Sequence, residues 1–511
     1  MGVRVVGRRQ KRGGRDFGTG APASRVTPCA ATAAAATVGA VAFAAAAVLT
    51  VAAAVAVLAA PLAAGAPMVP APAKDAAPAV HDRTLDNGLR ILVEEAPATE
   101  TVALRLVLLG GALDAPLERR ALAELHASLL IRSTWTHKAP DLSRAVEALG
   151  GRLSAGASLR AETVSFDGPA ESLEPAIGLL AEILREPRLD AYELEKEKGL
   201  LAGSIASERD VPGSFLMEET YKALFTGHPF ERLVQPAEEE VRAVTIAEVR
   251  KFHEGRFSAG RIVLVAVGRC TATDVERMAQ AAFGPRLPVT SGNARSSLPD
   301  AGGEPERLAK VPDAPSGAPL PSIPSPAPLP ADTRRGVNKR TTQAEIMVAL
   351  PTPGISDEDM PAYILLRHVL GGFQERLYAE IREKRGFAYW VALRGFSMPE
   401  AGWFGVHTGA DKKNLPAIEQ VIRAELARIV KEPVADDELD RARRYVTTDV
   451  ARDAETNAGR AAAAMAALLD HRPFRTYDES VARLAAVTPA QIQDLARRLF
   501  DGRHVAVVTL P

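Results

Sequence analysis

An internal repeat is the sequence feature that most constrains the fold. Residues 244–257 align without gaps to residues 487–500, at an offset of 243 positions. In both copies a threonine that can cap a helix precedes a helical pattern of apolar residues. An apolar run rich in valine follows each copy, at 262–267 and at 505–508, and predicts a buried strand. The chain is therefore expected to contain two related units, each with a helix leading into a strand.

A stretch rich in proline, serine and alanine, residues 286–335, separates the two units and cannot sustain a helix or a central strand. We predict an N-terminal domain at 79–285, a C-terminal domain at 336–511, and an extended linker between them. Near the start of the first unit, Asp86-Asn87-Gly88 predicts a hairpin turn. The expected fold class is α+β, with two duplicated domains, each an antiparallel-rich sheet packed by helices on one face.

The N-terminus has the composition of an export signal. Residues 1–25 carry seven basic residues and one acidic residue. The Ala-rich apolar stretch at 30–66 ends in Ala64-Gly65-Ala66, a pattern compatible with signal peptidase cleavage. We predict that residues 1–66 are a signal peptide or a membrane anchor, that 67–78 form a disordered linker, and that the rest is periplasmic or extracytoplasmic. A low-complexity extension or a misassigned start codon is the alternative.

Charge and cysteine content argue against two further classes of protein. The net charge of the whole chain is −1, and without the +6 of its first 25 residues it is −7, which disfavours binding to nucleic-acid phosphates. The chain has two cysteines, Cys29 and Cys270, and only Cys270 would remain after cleavage. An intrachain disulfide framework or a thiolate metal cluster is therefore excluded.

Short motifs give the chain a family resemblance over nearly all of its length after residue 80. The segment 85–90, Leu-Asp-Asn-Gly-Leu-Arg, resembles the L-x-N-G-L-R start of the M16 zinc peptidases, the family of insulinase and the processing peptidases. The segment 150–155 resembles their G-G-x-x-N-A motif, with Ser154 in place of the usual asparagine. The resemblance implies two M16-type domains of the LuxS/metallopeptidase-like class, facing each other as one half of a clamshell.

Active members of this family carry an H-x-x-E-H helix, whose histidines bind zinc while the glutamate activates water. The resemblance places the two ligand positions at Glu124 and Ser128 and the general-base position at Ala127. The third ligand of the family, a glutamate seven residues after the position of Glu197, is replaced by Ser204. We therefore predict that this chain has no metal ligands and no catalytic residues of its own.

Neighbouring residues do not restore the motif. His126 lies two positions from Glu124 and so points about 200° around the helix, which predicts a packed or solvent-touching histidine. Glu124 and Glu197 are expected to be ordinary surface carboxylates. A zinc site built from other residues is an alternative, although the nine histidines of the chain form no H-x-x-E-H, H-E-x-x-H or close pair.

The second half keeps a different family motif. Residues 371–390 resemble the G-G-x-x-S-R-L-x-x-x-L-R-E-x-x-G-L-A-Y segment, whose arginine and tyrosine bind the substrate backbone and stabilise the scissile carbonyl in the family. By position these are Arg382 and Tyr389. A guanidinium and a phenol are hydrogen-bond donors suited to a developing oxyanion. Judged from the residues alone, Arg382 is one charge on a solvated helix and Tyr389 a residue at the edge of the core.

The resemblance as a whole implies a non-catalytic subunit of a two-chain M16 peptidase. A partner subunit would bring H-x-x-E-H and the zinc, while this chain would contribute Arg382 and Tyr389 to the cleavage of unfolded peptides. The isolated chain is then expected to be inactive. Two alternatives stay open: a non-proteolytic structural or peptide-binding scaffold, and an active zinc peptidase with unrecognised ligands.

Overall fold

The computed structural model describes residues 80–256, 260–284, 323–337, 339 and 343–510. The predicted signal segment, the disordered linker at 67–78 and residues 286–322 of the proline-rich stretch lie outside these ranges. Among the helices within them, none has the length and apolarity needed to cross a membrane.

The first half folds around a six-stranded sheet with the order β1-β2-β6-β3-β5-β4. Its strands are β1 (Val80–Thr84), β2 (Arg90–Glu95), β3 (Thr101–Leu109), β4 (Arg152–Ala157), β5 (Ala161–Pro169) and β6 (Ile262–Gly268). Only β2 and β6 pair in parallel, and the other pairs are antiparallel. The predicted hairpin joins β1 to β2, and Gly88 at φ 85° supplies the left-handed backbone that the turn needs.

The second half repeats this arrangement with a five-stranded sheet of order β7-β11-β8-β10-β9. Its strands are β7 (Thr333–Gly336), β8 (Ala344–Pro353), β9 (Ala392–Ser397), β10 (Ala401–Ala410) and β11 (Ala506–Leu510). Only the pairing of β11 with β7 is parallel. Both valine-rich runs of the internal repeat are strands, β6 and β11, as predicted.

Helices fill most of the sequence between the strands. Those of the first half are α1 (Leu122–Leu130), α2 (Ala139–Ala148), α3 (Leu173–Arg185), α4 (Ala191–Asp210), α5 (Pro212–Leu224), α6 (Glu238–Ala243), α7 (Ile246–Arg256) and α8 (Ala272–Phe283). Those of the second half are α9 (Met360–Gly371), α10 (Arg376–Tyr378), α11 (Leu415–Lys431), α12 (Asp436–Ala454), α13 (Asn457–Leu469), α14 (Tyr477–Ala486) and α15 (Pro489–Phe500). The repeated threonines cap α7 and α15: Thr245 accepts the backbone N–H of Glu248, and Thr488 that of Gln491.

Each sheet is covered on both faces, not on one face as expected from the sequence. In the first half, α3 and α8 pack on one face, and α13 of the second half packs on the other. In the second half, α9, α11, α12 and α15 cover one face of the sheet. Helix α5 of the first half covers the other face. This exchange explains why every residue of β6 and β10 is buried, because a strand covered on one face alone buries only alternate residues.

Polar contacts reinforce the exchange of helices. Asn457, at the first turn of α13, donates its amide to the carbonyl and the hydroxyl oxygens of Thr101, at 2.8 and 2.9 Å. At the other end of α13, Arg160 donates to the carbonyl of Leu469 at 2.6 Å and pairs with Glu400. The two halves are therefore interlocked through α13.

Candidate functional site

Helix α1 carries three of the motif positions and packs against β4 and against helices α4 and α7. Ala127 is fully buried and packs against Ala123 and Ala157. Ser128 is half-buried. Glu124 points toward the end of β4, where one carboxylate oxygen, Oε2, accepts the backbone N–H of Ala157 at 2.9 Å.

The fourth motif position, Ser204, meets Glu124 in space although it lies 80 residues later in the chain. Both side chains line a cavity of about 90 Å³ between α1, α4, the end of β4 and the loop around Val234. Glu208, one turn after Ser204 on α4, lines it too. Glu208 was not among the predicted site residues, although its i+4 spacing from Ser204 places it on the same helical face.

Glu124 and Glu197 are not the surface carboxylates that the sequence suggested. Glu197 is 6% exposed and pairs with the Nε of Arg132 at 2.6 Å. Burial raises the pKa of Glu124 to about 7, partly offset by the N–H of Ala157 and reinforced by the charges of Glu162 and Glu197. Helical periodicity identifies which residues share a face, but it does not show that α4 packs over that face of α1.

His126 points away from the cavity into a buried polar cluster, so its predicted packed role is confirmed. Its Nδ1 lies 2.7 Å from Oε2 of Glu162, and its Nε2 lies 2.9 Å from Nδ1 of His253. All three side chains are at most 1% exposed. Burial, and then the positive charges of His126 and Arg256, lower the pKa of His253 far below its ordinary value.

The residues at the motif positions do not make a zinc-binding set. Zinc in proteins is held by cysteine sulfur, histidine nitrogen or carboxylate oxygen, with at least three such ligands. Of the three ligand positions only Glu124 offers one of these donors, since Ser128 and Ser204 carry hydroxyls, and Ala127 has no group that could act as a base. The described residues contain no group of three or more His, Cys, Asp or Glu side chains that could hold a metal ion.

The sheet ends beside this cavity in an open edge. Within the described residues β4 pairs with β5 alone, so the other side of β4 has backbone groups without a strand partner. The strand runs to Ala157, which lines the cavity and contacts Glu124. An extended peptide that added to β4 would therefore lie with part of its length against the cavity.

Residues 371–390, the segment of the second half that resembles the family motif, lie in a more exposed environment than α1. Helix α10 lies within this segment and is held in place by Arg376. The buried guanidinium of Arg376 binds both carboxylate oxygens of Glu438, at 2.9 and 2.7 Å. A π-helical turn, Ala379–Glu383, continues α10 and carries Arg382. Such turns are rare and are frequent at functional sites.

Arg382 and Tyr389 are both exposed to solvent. The guanidinium carbon of Arg382 lies 5.0 Å from the ring centre of Tyr378, and Arg382 makes no ion pair with any described residue. Neighbouring Lys384 and Arg385 instead share Glu380. The side chain of Tyr389 is 77% exposed, so it is not a residue at the core edge. Neither Arg382 nor Tyr389 lines the cavity beside Glu124.

Family models match most of the folded part of this chain. The model described as insulinase, peptidase family M16, matches residues 90–238, and the model described as peptidase M16 inactive domain matches residues 243–446. Together the two matches cover more than half of the 511 residues. The chain belongs to the M16 peptidase family. The resemblance read from the motifs is therefore confirmed at the level of the family.

Relatives and solved structures agree with this assignment. An uncharacterized zinc protease of Mycobacterium leprae is 26% identical over 431 residues, which span 84% of this chain and 91% of the relative. The structure of a peptidase M16 inactive domain from Pseudomonas fluorescens matches with a TM-score of 0.72 and 22% identity, covering 84% of this chain and 98% of that one.

A larger protease contains the same fold. The periplasmic protease PqqL of Escherichia coli matches with a TM-score of 0.68 and 13% identity, covering 89% of this chain but 49% of that one. The α+β fold with two M16-type domains, predicted from the sequence, is thus confirmed. One chain of this length corresponds to about half of the larger protease.

Proposed function

We propose that this chain is the subunit of a two-chain M16 peptidase that supplies Arg382 and Tyr389 to the scissile peptide. The observation that carries the proposal is the contrast between two sets of family positions. Glu124, Ser128 and Ser204 do not form a zinc-binding set, whereas Arg382 and Tyr389 stand exposed on an anchored segment. A partner subunit with H-x-x-E-H would complete the site.

The chemistry of the two exposed residues suits this role. Arg382 has no carboxylate partner among the described residues, so its guanidinium donors are available to a peptide carbonyl. The phenol of Tyr389 adds a second donor. Donors held in place contribute most when they face a charge that develops in the transition state. The zinc of the partner would activate the attacking water, and Arg382 and Tyr389 would orient and polarise the carbonyl.

The substrate proposed is an unfolded peptide segment. The free edge of β4 offers backbone donors and acceptors to an extended chain, which is how sheet edges bind peptides. A folded protein cannot present such a strand without local unfolding.

Export is part of the proposal. The basic and then apolar order of residues 1–66 supports secretion out of the cytoplasm, either by cleavage or with the segment kept as an anchor. The structural neighbour from Escherichia coli is described as periplasmic, which is compatible with that location.

The test is reconstitution. The chain without residues 1–66 is mixed with an H-x-x-E-H-bearing M16 subunit from the same organism, chosen first from neighbouring reading frames, and cleavage of a fluorogenic peptide is measured. We expect activity only from the mixture. Arg382→Ala and Tyr389→Phe should each lower kcat by about 10²-fold, the usual effect of removing one oxyanion donor.

Arg444→Ala and Tyr445→Phe are matched controls, because Arg444 and Tyr445 are exposed on α12 of the same half. They should leave kcat unchanged. Full activity in the Arg382→Ala and Tyr389→Phe mixtures would contradict the proposal and favour a scaffold. Stoichiometric zinc and peptide cleavage in the isolated chain would contradict it in favour of an independent peptidase.

A further inference from the structure

The cavity beside Glu124 has polar groups that the fold leaves unused. Among the described residues, Glu124 accepts one hydrogen bond, on Oε2, so its Oε1 has no donor. The hydroxyl of Ser204 has no hydrogen-bond partner in this part of the chain. Glu208 accepts only from the amide of Gln235, at 3.1 Å. Oε1 of Glu124, the hydroxyl of Ser204 and the carboxylate of Glu208 therefore line the cavity with capacity to accept hydrogen bonds from a ligand.

Two arginines also line the cavity, and one of them is already neutralised. Arg120 binds both carboxylate oxygens of Glu240 and the carbonyl of Val234. Arg232 donates to the carbonyl of Ala115 at 3.2 Å and forms no ion pair within the described residues. One guanidinium therefore shares the cavity with the two carboxyl groups of Glu124 and Glu208.

We propose that this cavity binds a primary ammonium group of a peptide that lies along β4. The group is either the amino terminus of the peptide or the end of a lysine side chain. Three hydrogens on one compact cation match three nearby acceptors, on Glu124, Ser204 and Glu208. This inference rests on the proposed function, because it assumes that the chain binds peptides.

The size and position of the cavity limit the ligand. At about 90 Å³ it is far below the several hundred Å³ that hold a whole small molecule, so it takes only the end of a chain or side chain. Ala157 connects it to the peptide edge, since this residue both ends β4 and lines the cavity. The cavity beside the position of Glu124 would thus hold a cation of the substrate.

The electrostatics of Glu124 support such a ligand. Burial, with the nearby charges of Glu162 and Glu197, raises the pKa of this carboxyl to about 7. An ammonium group placed against it would stabilise its charged form and relieve that repulsion.

The test uses the isolated chain without residues 1–66 and one set of peptides of about ten residues, labelled at the C-terminus, with binding measured by fluorescence anisotropy. One peptide has a free amino terminus and no lysine. A second series is acetylated and carries lysine at each position in turn. The third is acetylated and carries norleucine in place of lysine. We expect the ammonium-bearing peptides to bind roughly tenfold more tightly than the blocked peptide, as for one charged hydrogen-bonded contact.

Variants locate the effect. Glu124→Gln should abolish the preference for an ammonium group, and Glu208→Gln should reduce it. Glu239→Gln is the matched control, because it removes one exposed carboxylate from nearby α6 and should preserve the preference. Circular dichroism and thermal unfolding establish that each variant is folded.

Equal binding of all peptides, no binding of any, or a preference that survives in both Glu124→Gln and Glu208→Gln would overturn the inference. If the peptide with a free amino terminus binds more tightly, the cavity takes an amino terminus. If a lysine at one position gives the tighter binding, the cavity takes a lysine side chain. If the peptides show no ammonium preference but Arg382→Ala still impairs the reconstituted peptidase, this inference is wrong and the proposed function stands. Conversely, an ammonium preference without any effect of Arg382 or Tyr389 would show a peptide site without the proposed catalytic role.

Discussion

The two halves of this chain differ in how they hold the family positions. In the first half, α1 is enclosed: Ala127 is fully buried, and Glu124 lies under α4. In the second half, Arg382 and Tyr389 stand in solvent on a segment whose base is fixed by a buried pair, Arg376 and Glu438. Duplicated domains have thus placed one set of positions inside the protein and the other on its surface.

The difference teaches which positions serve the fold and which do not. Buried polar groups contribute to stability only when they are paired, and they are costly when a partner is lost. Exposed groups contribute little to stability. Arg382 is exposed and makes no ion pair with any described residue, so the fold does not require its guanidinium.

The largest effect predicted from this comparison is the loss of Glu162. Its carboxylate is completely buried against His126 and lies near Arg256, both also buried. Glu162→Ala would leave His126 without its carboxylate partner and create a cavity, while Arg256 would keep its pair with Asp114. We expect the free energy of unfolding to fall by about 3 to 5 kcal/mol, measured by urea denaturation.

Glu171→Ala is the control, because Glu171 is exposed in the same half and should change stability by no more than about 0.5 kcal/mol. A loss below about 1 kcal/mol in Glu162→Ala would mean that the buried cluster behind α1 does not stabilise the first half. The first half would then not depend on its buried polar groups for stability, and the contrast with the exposed positions of the second half would fail.

The next effect concerns pH and Glu124. The folded protein raises the pKa of this carboxyl from its ordinary 4.5 to about 7, so the folded state binds the proton more tightly than the unfolded state. Its contribution to stability is complete below pH 4.5 and is lost as the pH rises through about 7. The expected loss is about 3 kcal/mol over this range.

Glu124→Gln isolates this contribution, since glutamine cannot ionise and keeps an oxygen for the N–H of Ala157. Unfolding curves at pH 4.5, 6 and 7.5 should show that the variant gains stability relative to the wild type as the pH rises. Glu239→Gln should follow the wild type, because its carboxylate is exposed. Parallel curves for wild type and Glu124→Gln would show that Glu124 is not buried as described.

Local pattern was enough to predict some of the fold and the family positions. The Thr245 and Thr488 caps, the strands β6 and β11 and the turn at Gly88 each depend on a few adjacent residues. The meeting of Glu124 with Ser204 followed from family resemblance, not from spacing, because 80 residues separate them.

Long-range packing was not predictable from the sequence. No local pattern shows that α13 crosses to the first sheet or that α5 covers the second. For the same reason the contact of His126 with Glu162 and His253 was missed, since these residues are 36 and 127 positions apart from it. The burial of Glu124 and Glu197 depends on such packing as well, which is why they were mistaken for surface carboxylates.

The smallest effect predicted is on the stability of the exposed pair. Within the described residues, Arg382→Ala and Tyr389→Phe remove no ion pair, and the one ring contact affected is that of the Arg382 guanidinium with Tyr378. Exposed substitutions of this kind change the free energy of unfolding by about 0.5 kcal/mol or less. Thermal unfolding of the two variants should therefore overlay that of the wild type, while the same proteins lose activity in the reconstituted peptidase. A loss above about 1.5 kcal/mol in Tyr389→Phe would show that Tyr389 supports the fold, and its exposure could then no longer be read as a sign of binding.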